Sequence, residues 1–362
     1  MPPSLDLAAD ATTLTATVCD IESVSHDEAA LADAVEAALR ALGHLDVTRL
    51  GNTVVARTDL GRAERVVLAG HLDTVPLTDD PPNLPTRRVR GAGGEEVLWG
   101  RGTVDMKGGV AVVLRVAHEL RAPSRDLTLV LYEAEEVDSR YNGLLHVEQQ
   151  RPELVADADF AVLLEPTDAR IEGGCKGTLR AVVRTKGIAA HSARPWKGHN
   201  AIHDAAEVLA RLVAYEPATR EVDGLEFREA LNAVGIHGGV AGNVIPDRCE
   251  VTVNYRYAPS LSEEDAEAHV RGVFAGFDVE VVDNAGGARP GLHLPAARAF
   301  VEALGLPVEA KQGWTDVARF SAMGVPAVNF GPGDPNLAHT DDEQCPVAQY
   351  GACESALLRW LG

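Results

Sequence analysis

The segment Arg65 to Pro76, RVVLAGHLDTVP, constrains the fold more than any other stretch of the chain. Val66, Val67, Leu68 and Ala69 make a short apolar run bounded by turn residues, which suits the centre of a sheet covered on both faces. The turn led by Gly70 then presents His71 and Asp73. Two residues apart on extended backbone, they point the same way. Open α/β sheets place their sites at this C-terminal end of a strand. There His71 can ligate a metal, while Asp73 holds the ring or polarises the site from behind. A surface His-Asp pair in a loop is the plain alternative.

The same pattern recurs downstream. Leu127 to Tyr132 is a second continuous apolar strand, and it delivers Glu133, Glu135 and Glu136. Adjacent carboxylates repel one another, and burying them without a cation is costly. A solvated acidic loop is the alternative, but the strand just before carries these residues to the edge that His71 occupies. A third strand, Phe160 to Leu164, ends in Glu165, and Val325 to Phe330 precedes His339 in GPGDPNLAHTDDE. In WGRGTVDMKGGVAVVLRVAHEL, residues 99–120, Asp105 follows Gly100 and Gly102 and precedes an apolar helix opened by Gly108 and Gly109. Asp105 could simply cap that helix. Histidine and carboxylate donors without cysteine suit a catalytic zinc, or two zincs sharing a carboxylate.

A chain of 362 residues is long enough for two domains, or for one interrupted by another. Leu31, Val35, Leu39 and Leu42 share one face of a helix over 27–42 that stops at Gly43. Strands are expected over 45–57 and a Pro- and Gly-rich loop over 77–94. From Lys176 to about Gly291 the order becomes strand 178–185, helix 200–215, strands 230–237 and 249–257, helix 262–275 and strand 277–283. Ser262 is expected to cap its helix three residues before Asp265. That β-α-β-β-α-β order is ferredoxin-like. The expected division is therefore a catalytic domain of residues 1–176 and 292–362 interrupted by an inserted domain of 177–291. Helices over 295–304 and 315–323 and the strand 325–330 would complete the first.

The formal charge of −21 argues against a nucleic-acid partner, although a few arginines in a cleft can still hold an anionic substrate. Five scattered cysteines without a CxxC pair predict no disulfide framework and fit a reducing cytoplasm. No apolar run is long enough to span a bilayer, and MPPSLDLAADATTL lacks the pattern of a signal peptide. GxSxG, GxxxxGK[ST] and HExxH are absent: His118-Glu119 begins the last of these, but Ala122 stands where its second histidine would be.

Taken together, HLDTVP, GRGTVDMKGG, the Glu135-Glu136 pair, LLEPT and AHTDDE resemble the zinc-dependent aminoacylase and carboxypeptidase family of co-catalytic metallopeptidases, over nearly the whole chain. The resemblance implies an α/β protein: a mixed-sheet, zinc-peptidase-like catalytic domain with an inserted ferredoxin-like dimerisation or lid domain. It implies two zinc ions per subunit, replaceable by cobalt or manganese. His71 and Glu165 would hold one ion, Glu136 and His339 the other, and Asp105 would bridge them. Asp73 would sit behind His71, and Glu135 would act as general base and acid. His191 in AAHSARP matches a histidine that reaches a partner subunit's site, which implies a homodimer formed through the inserted domain.

The segments EGGCKGTLR, AAHSARPWKGHNAIH, GGVAGNVIPD, VNYRYAP, GWTDVARF and NFGPGDPNLAHTDDE are similar to a narrower branch of the family. That branch hydrolyses N-succinyl-LL-2,6-diaminopimelate to succinate and LL-2,6-diaminopimelate for lysine and peptidoglycan-precursor synthesis. Another N-acyl amino acid deacylase, such as an acetylornithine deacetylase, or a dipeptidase is the alternative. A non-catalytic homologue would lack a ligand or the base, and none is missing. Thr178, Asn243 and Arg256 match positions that contact substrate carboxylates. Many members of the branch carry two arginines where this chain has Cys175-Lys176, and a tyrosine where it has Arg194. Lys176, Arg194 and Arg256 are thus the expected cationic donors.

Overall fold

The computed structural model describes residues 4–362. Residues 1–3, within the expected catalytic domain, lie outside them. The chain forms two compact units. The first runs to Gly173 and resumes over Gly291–Glu309 and Arg319–Gly362; the second comprises Gly174–Pro290 and Ala310–Ala318. The segment 310–318, expected with the catalytic domain, groups with the second unit instead. Its backbone and side chains bond there: the amide of Lys176 donates to the carbonyl of Gly313, and Gln312 Nε2 donates to the carbonyl of Glu226.

In chain order the first unit contains α1 (Ala11–Asp20), α2 (Ala29–Leu42), β1 (Asp46–Leu50), β2 (Thr53–Arg57), β3 (Arg65–His71), β4 (Arg87–Arg90), β5 (Glu96–Trp99), α3 (Lys107–Glu119), β6 (Asp126–Tyr132), α4 (Gly143–Gln150), β7 (Phe160–Leu163) and β8 (Ile171–Gly173). The second contributes β9 (Gly177–Lys186), β10 (Ala190–His191), α5 (Ala201–Val213), β11 (Thr219–Val222), β12 (Leu225–Arg228), β13 (Ala230–Gly238), β14 (Val244–Ile245), β15 (Arg248–Tyr257), α6 (Glu263–Val273) and β16 (Asp278–Ala285). After it come α7 (Pro295–Leu304), β17 (Val308–Ala310), α8 (Val317–Ala322), β18 (Ala327–Asn329), β19 (Gln344–Pro346) and α9 (Val347–Leu361).

An eight-stranded sheet in the order β1-β2-β6-β3-β7-β18-β8-β17 carries the first unit's core. β3 runs parallel to both β6 and β7, and β18 runs parallel to β7, whereas β2 is antiparallel to β6. The fold is a mixed-sheet α/β fold. Val66, Leu68, Leu129 and Val162 are buried against the apolar sides of α2, α3 and α9 in one cluster. Because the strands are covered on both faces, their apolar residues are continuous rather than alternating. α2 buries Leu31, Val35 and Leu39, and Gly43 ends it in the left-handed region at φ 73°.

The second unit has a four-stranded antiparallel sheet in the order β13-β15-β9-β16, with α5 between β9 and β13 and α6 between β15 and β16. That order is the ferredoxin-like one. Alternate residues Leu179, Ala181 and Val183 of β9 face the core with Val251, Val253 and Tyr255 of β15. A capping box joins Ser262 and Asp265 at the start of α6.

Other elements depart from expectation. The expected loop over 77–94 contains β4, which joins β5 and β19 in a small sheet. β4 is exposed throughout, so no apolar alternation betrays it. The helix α1, capped by Asp10, was not anticipated by any periodicity argument.

Candidate active site

The parallel register places the C-terminal ends of β3, β6, β7 and β18 along one edge of the sheet. Ala69 pairs with Leu163, and Glu165 follows two residues later, just beyond the end of β7 at the same edge as His71. On the other side His71 pairs with Tyr132, and the chain beyond Tyr132 carries Glu135 and Glu136.

His71 is buried, and its Nδ1 lies 3.0 Å from the carbonyl oxygen of Asp73. A carbonyl only accepts, so Nδ1 carries the proton and Nε2 is left for the site. Nε2 faces Asp105 Oδ1 at 3.1 Å, and His339 Nε2 faces the other oxygen, Oδ2, at 3.2 Å. His339 Nε2 is also 2.9 Å from Glu136 Oε1. One carboxylate thus stands between two imidazoles. Asp105 is not a helix cap: α3 begins at Lys107 after Met106, and no side chain caps it. Gly109 permits the helix to come this close to β7, since a Cβ there would lie 2.1 Å from the carbonyl oxygen of Leu164.

Asp73 does more than hold His71. Its two carboxylate oxygens accept the backbone amides of Glu135 at 3.0 Å and Glu136 at 3.1 Å. Ser25 Oγ donates to the same carboxylate at 2.8 Å. Sequence reasoning missed Ser25, and only its contact across the fold identifies it. Ala134, just before Glu135, and His339 both have left-handed backbone, at φ 57° and 64°. Non-glycine residues adopt that region at a cost and recur where side chains must be aimed.

The electrostatics call for a cation. Burial opposes charge on His71, yet the hydrogen bonds and charges of Asp105 and Asp73 raise its pKa well above the ordinary histidine value. For His339 the hydrogen bonds with Asp105 and then Glu136 raise it to about 10. Burial pushes Asp105 upward, but His339 and His71 outweigh it and hold the carboxyl far below its usual range. The protons on these rings neutralise carboxylates that a metal ion would otherwise neutralise.

The donors fit a metal. Candidate ligand atoms of His71, Asp105 and Glu136 lie within 4.8 Å of one another. Two ligands of one tetrahedral zinc, each at roughly 2.1 Å, stand ~3.4 Å apart, close to the spacings between Asp105 and each histidine. Glu165 is buried at the end of β7.

The remaining predicted residues lie in the second unit. His191 is exposed on β10 and pairs with Val244, next to Asn243, whose carbonyl accepts the amide of Ser192. Arg194 is exposed just beyond, its amide bonded to the carbonyl of His191. Thr178 and Arg256 face each other across β9 and β15, and Asn254 joins them, donating to Thr178 Oγ1 and accepting from Arg256 Nε. Lys176 is buried, donates to the carbonyl of Arg228 at 2.7 Å, and lines a cavity of about 640 Å³ with Arg228 and Gln312. Burial, and then the charge of Arg256, pulls its ammonium below the usual lysine range.

The fold is a mixed-sheet α/β fold, and its candidate ligand cluster has the donors of a metal centre. The peptidase family M20/M25/M40 matches residues 67–362, and the chain belongs to that family. It is 45% identical over 372 residues to a succinyl-diaminopimelate desuccinylase of Corynebacterium glutamicum, covering 100% of this chain and 98% of that one. It is 52% identical over 361 residues, 99% of both chains, to a protein of Mycobacterium tuberculosis that carries the same name provisionally. In fold it is similar to an M20 family metallo-carboxypeptidase of Sulfolobus solfataricus, with a TM-score of 0.75 at 15% identity over 97% of this chain and 98% of that one.

Proposed function

We propose that this chain hydrolyses N-succinyl-LL-2,6-diaminopimelate to succinate and LL-2,6-diaminopimelate as a zinc-dependent amidohydrolase of lysine and peptidoglycan-precursor synthesis. The observation that carries the chemistry is Asp105, a single carboxylate with an imidazole nitrogen near each oxygen. Full-length likeness to the two desuccinylases supports the choice of substrate.

His71, Asp105, Glu136, Glu165 and His339 would hold two zinc ions, with Asp105 shared between them. When bound, the ions supply Lewis acidity that polarises the amide carbonyl and lowers the pKa of water from ~15.7 towards ~7. Glu135 takes the proton of the attacking water and returns it to the departing amine. Glu136 belongs to the ligand set and stays charged, so the neighbouring glutamates divide the work. Asp73 keeps the two in register by accepting both of their amides.

The substrate has three carboxylates and one ammonium, a net charge of about −2 by reference pKa values. Lys176, Thr178, Arg194, Asn243 and Arg256 are assigned to those carboxylates, with the arginines suited to a bidentate grip. The charge of Arg256 weakens the hold of Lys176 on its proton, and an anion beside them would relieve that repulsion. His191 is assigned to the oxyanion of a neighbouring subunit's substrate. A homodimer is supported by apolar exposure on the second unit: Val234 and Ile236 on the edge strand β13, and Ile202, Leu209 and Val213 on α5. Among the described residues no helix is long and apolar enough to cross a membrane. We assign the protein to the cytoplasm.

A hydrolysis panel tests the reading. After chelation and zinc restoration, N-succinyl-LL-2,6-diaminopimelate should be cleaved with the highest kcat/KM among succinyl, N-acetylornithine and dipeptide substrates. Preference for either of the other classes would replace the substrate, and full activity in the chelated enzyme would reject the metal.

A further inference from the structure

Glu343 lies in the last acidic residues of AHTDDE, beyond any role given above, and both it and Arg101 are buried. Glu343 Oε1 accepts two backbone amides, Val104 at 2.9 Å and Asp105 at 3.1 Å. Its Oε2 lies 2.7 Å from Arg101 Nη1, and that same nitrogen is 3.2 Å from the carbonyl of Thr340, the residue after His339. The amide of Gly100 donates to the carbonyl of Glu343 at 3.0 Å. One ion pair therefore ties the loop bearing Asp105 to the loop bearing His339.

Stability alone explains this pair poorly. Taking both charges out of water is costly, and a well-packed apolar pair would often stabilise as well or better. Nor can a neutral side chain do the same job. A carboxylate accepts on both oxygens, whereas an amide would turn a donor toward either Arg101 or the backbone. His339 needs such an anchor, because its ring is half exposed and its backbone is left-handed.

We propose that Glu343, braced by Arg101, is a positioning residue that sets the separation of Asp105 and His339 and thereby the zinc affinity of the site. The inference rests on the two-ion reading given above. Ligand-supporting contacts of this kind are worth roughly 10- to 100-fold in metal affinity.

The test is a zinc titration against a competing chelator on metal-stripped wild type, Glu343→Gln and Arg101→Lys, each shown by circular dichroism to be folded at the assay temperature. Wild type should take up two equivalents. Glu343→Gln should bind at least one of them roughly 10- to 100-fold more weakly, and Arg101→Lys should show a smaller loss in the same direction. A purely structural role predicts a lower unfolding temperature with unchanged zinc affinity in the folded protein, and that result overturns the proposal. Should Glu343→Gln fail to fold, Arg101→Lys decides by the same criterion. Wild type that binds no zinc would remove the functional reading and this inference together, whereas wild-type affinity in the folded variants removes only the inference.

Discussion

The candidate site residues of the two units are clusters of opposite sign. In the first, Asp73, Asp105 and Glu136 surround His71 and His339 and drive both rings toward the protonated form. In the second, Lys176 and Arg256 are drawn toward the neutral form, each by its own burial first. The first cluster suits cations, and the second is the one proposed above for the carboxylates of the substrate. The overall charge of −21 describes neither, because it is dominated by solvated side chains while each site answers to its own neighbours.

The contrast is broken most severely at the acidic site. Glu135→Gln should keep zinc and fold yet lower kcat by roughly 10² to 10⁴, whereas Glu136→Gln should lose zinc affinity. Steady-state kinetics paired with metal analysis separates them, and two variants that behave alike would cancel the division of roles.

Mixing asks whether the second unit of one subunit serves the acidic site of another. Glu135→Gln and His191→Ala chains, each inactive alone, would be refolded together. Random pairing under two-fold symmetry makes half the dimers mixed, and in those one site is intact, so roughly a quarter of all sites should work. No recovery after confirmed subunit exchange would return His191 to its own chain.

A smaller effect is expected from the cations. Arg256→Lys keeps the charge but loses the planar fork, and Lys176→Met loses the charge. Each should raise KM by roughly 10-fold with a lesser change in kcat, in line with the worth of a charged hydrogen bond. An equal loss in kcat with KM constant would move these residues from binding to chemistry.

The last effect lies outside both sites and leaves activity untouched. Asp126 is buried and accepts from Thr58 Oγ1 at 2.7 Å and from the amides of Leu60 and Arg62, each at 2.8 Å. Burial pushes its carboxyl up, but these bonds outweigh it and hold the pKa below the ordinary aspartate value. The stabilisation is therefore complete above the unfolded-state pKa and is lost as pH falls through the folded one. Asp126→Asn should cost about 1–3 kcal/mol at neutral pH and flatten the acid limb of a denaturation profile. An unchanged acid limb would show that other carboxylates govern it.

The strands that carry the site were legible because burial on both faces demands continuous apolar runs, and those of β3, β6 and β7 each stop at a histidine or a carboxylate. The second unit was legible for a different reason: β9 and β15 alternate buried and less buried residues while α6 begins with a capping box. Residue order alone therefore determined the two architectures and the donors His71, Asp105, Glu136 and His339 as a group of compatible chemistry.

Only the tertiary structure decided that Asp105 stands between two imidazoles instead of capping α3, because both histidines reach it from distant loops. The same holds for Ser25 on Asp73, 48 positions away, and for Glu343 on the amide of Asp105, 238 positions away. It holds again for residues 310–318, which return to the second unit through hydrogen bonds that no local pattern encodes. Periodicity records which face of an element is buried, but a hydrogen bond between remote loops leaves no periodic trace.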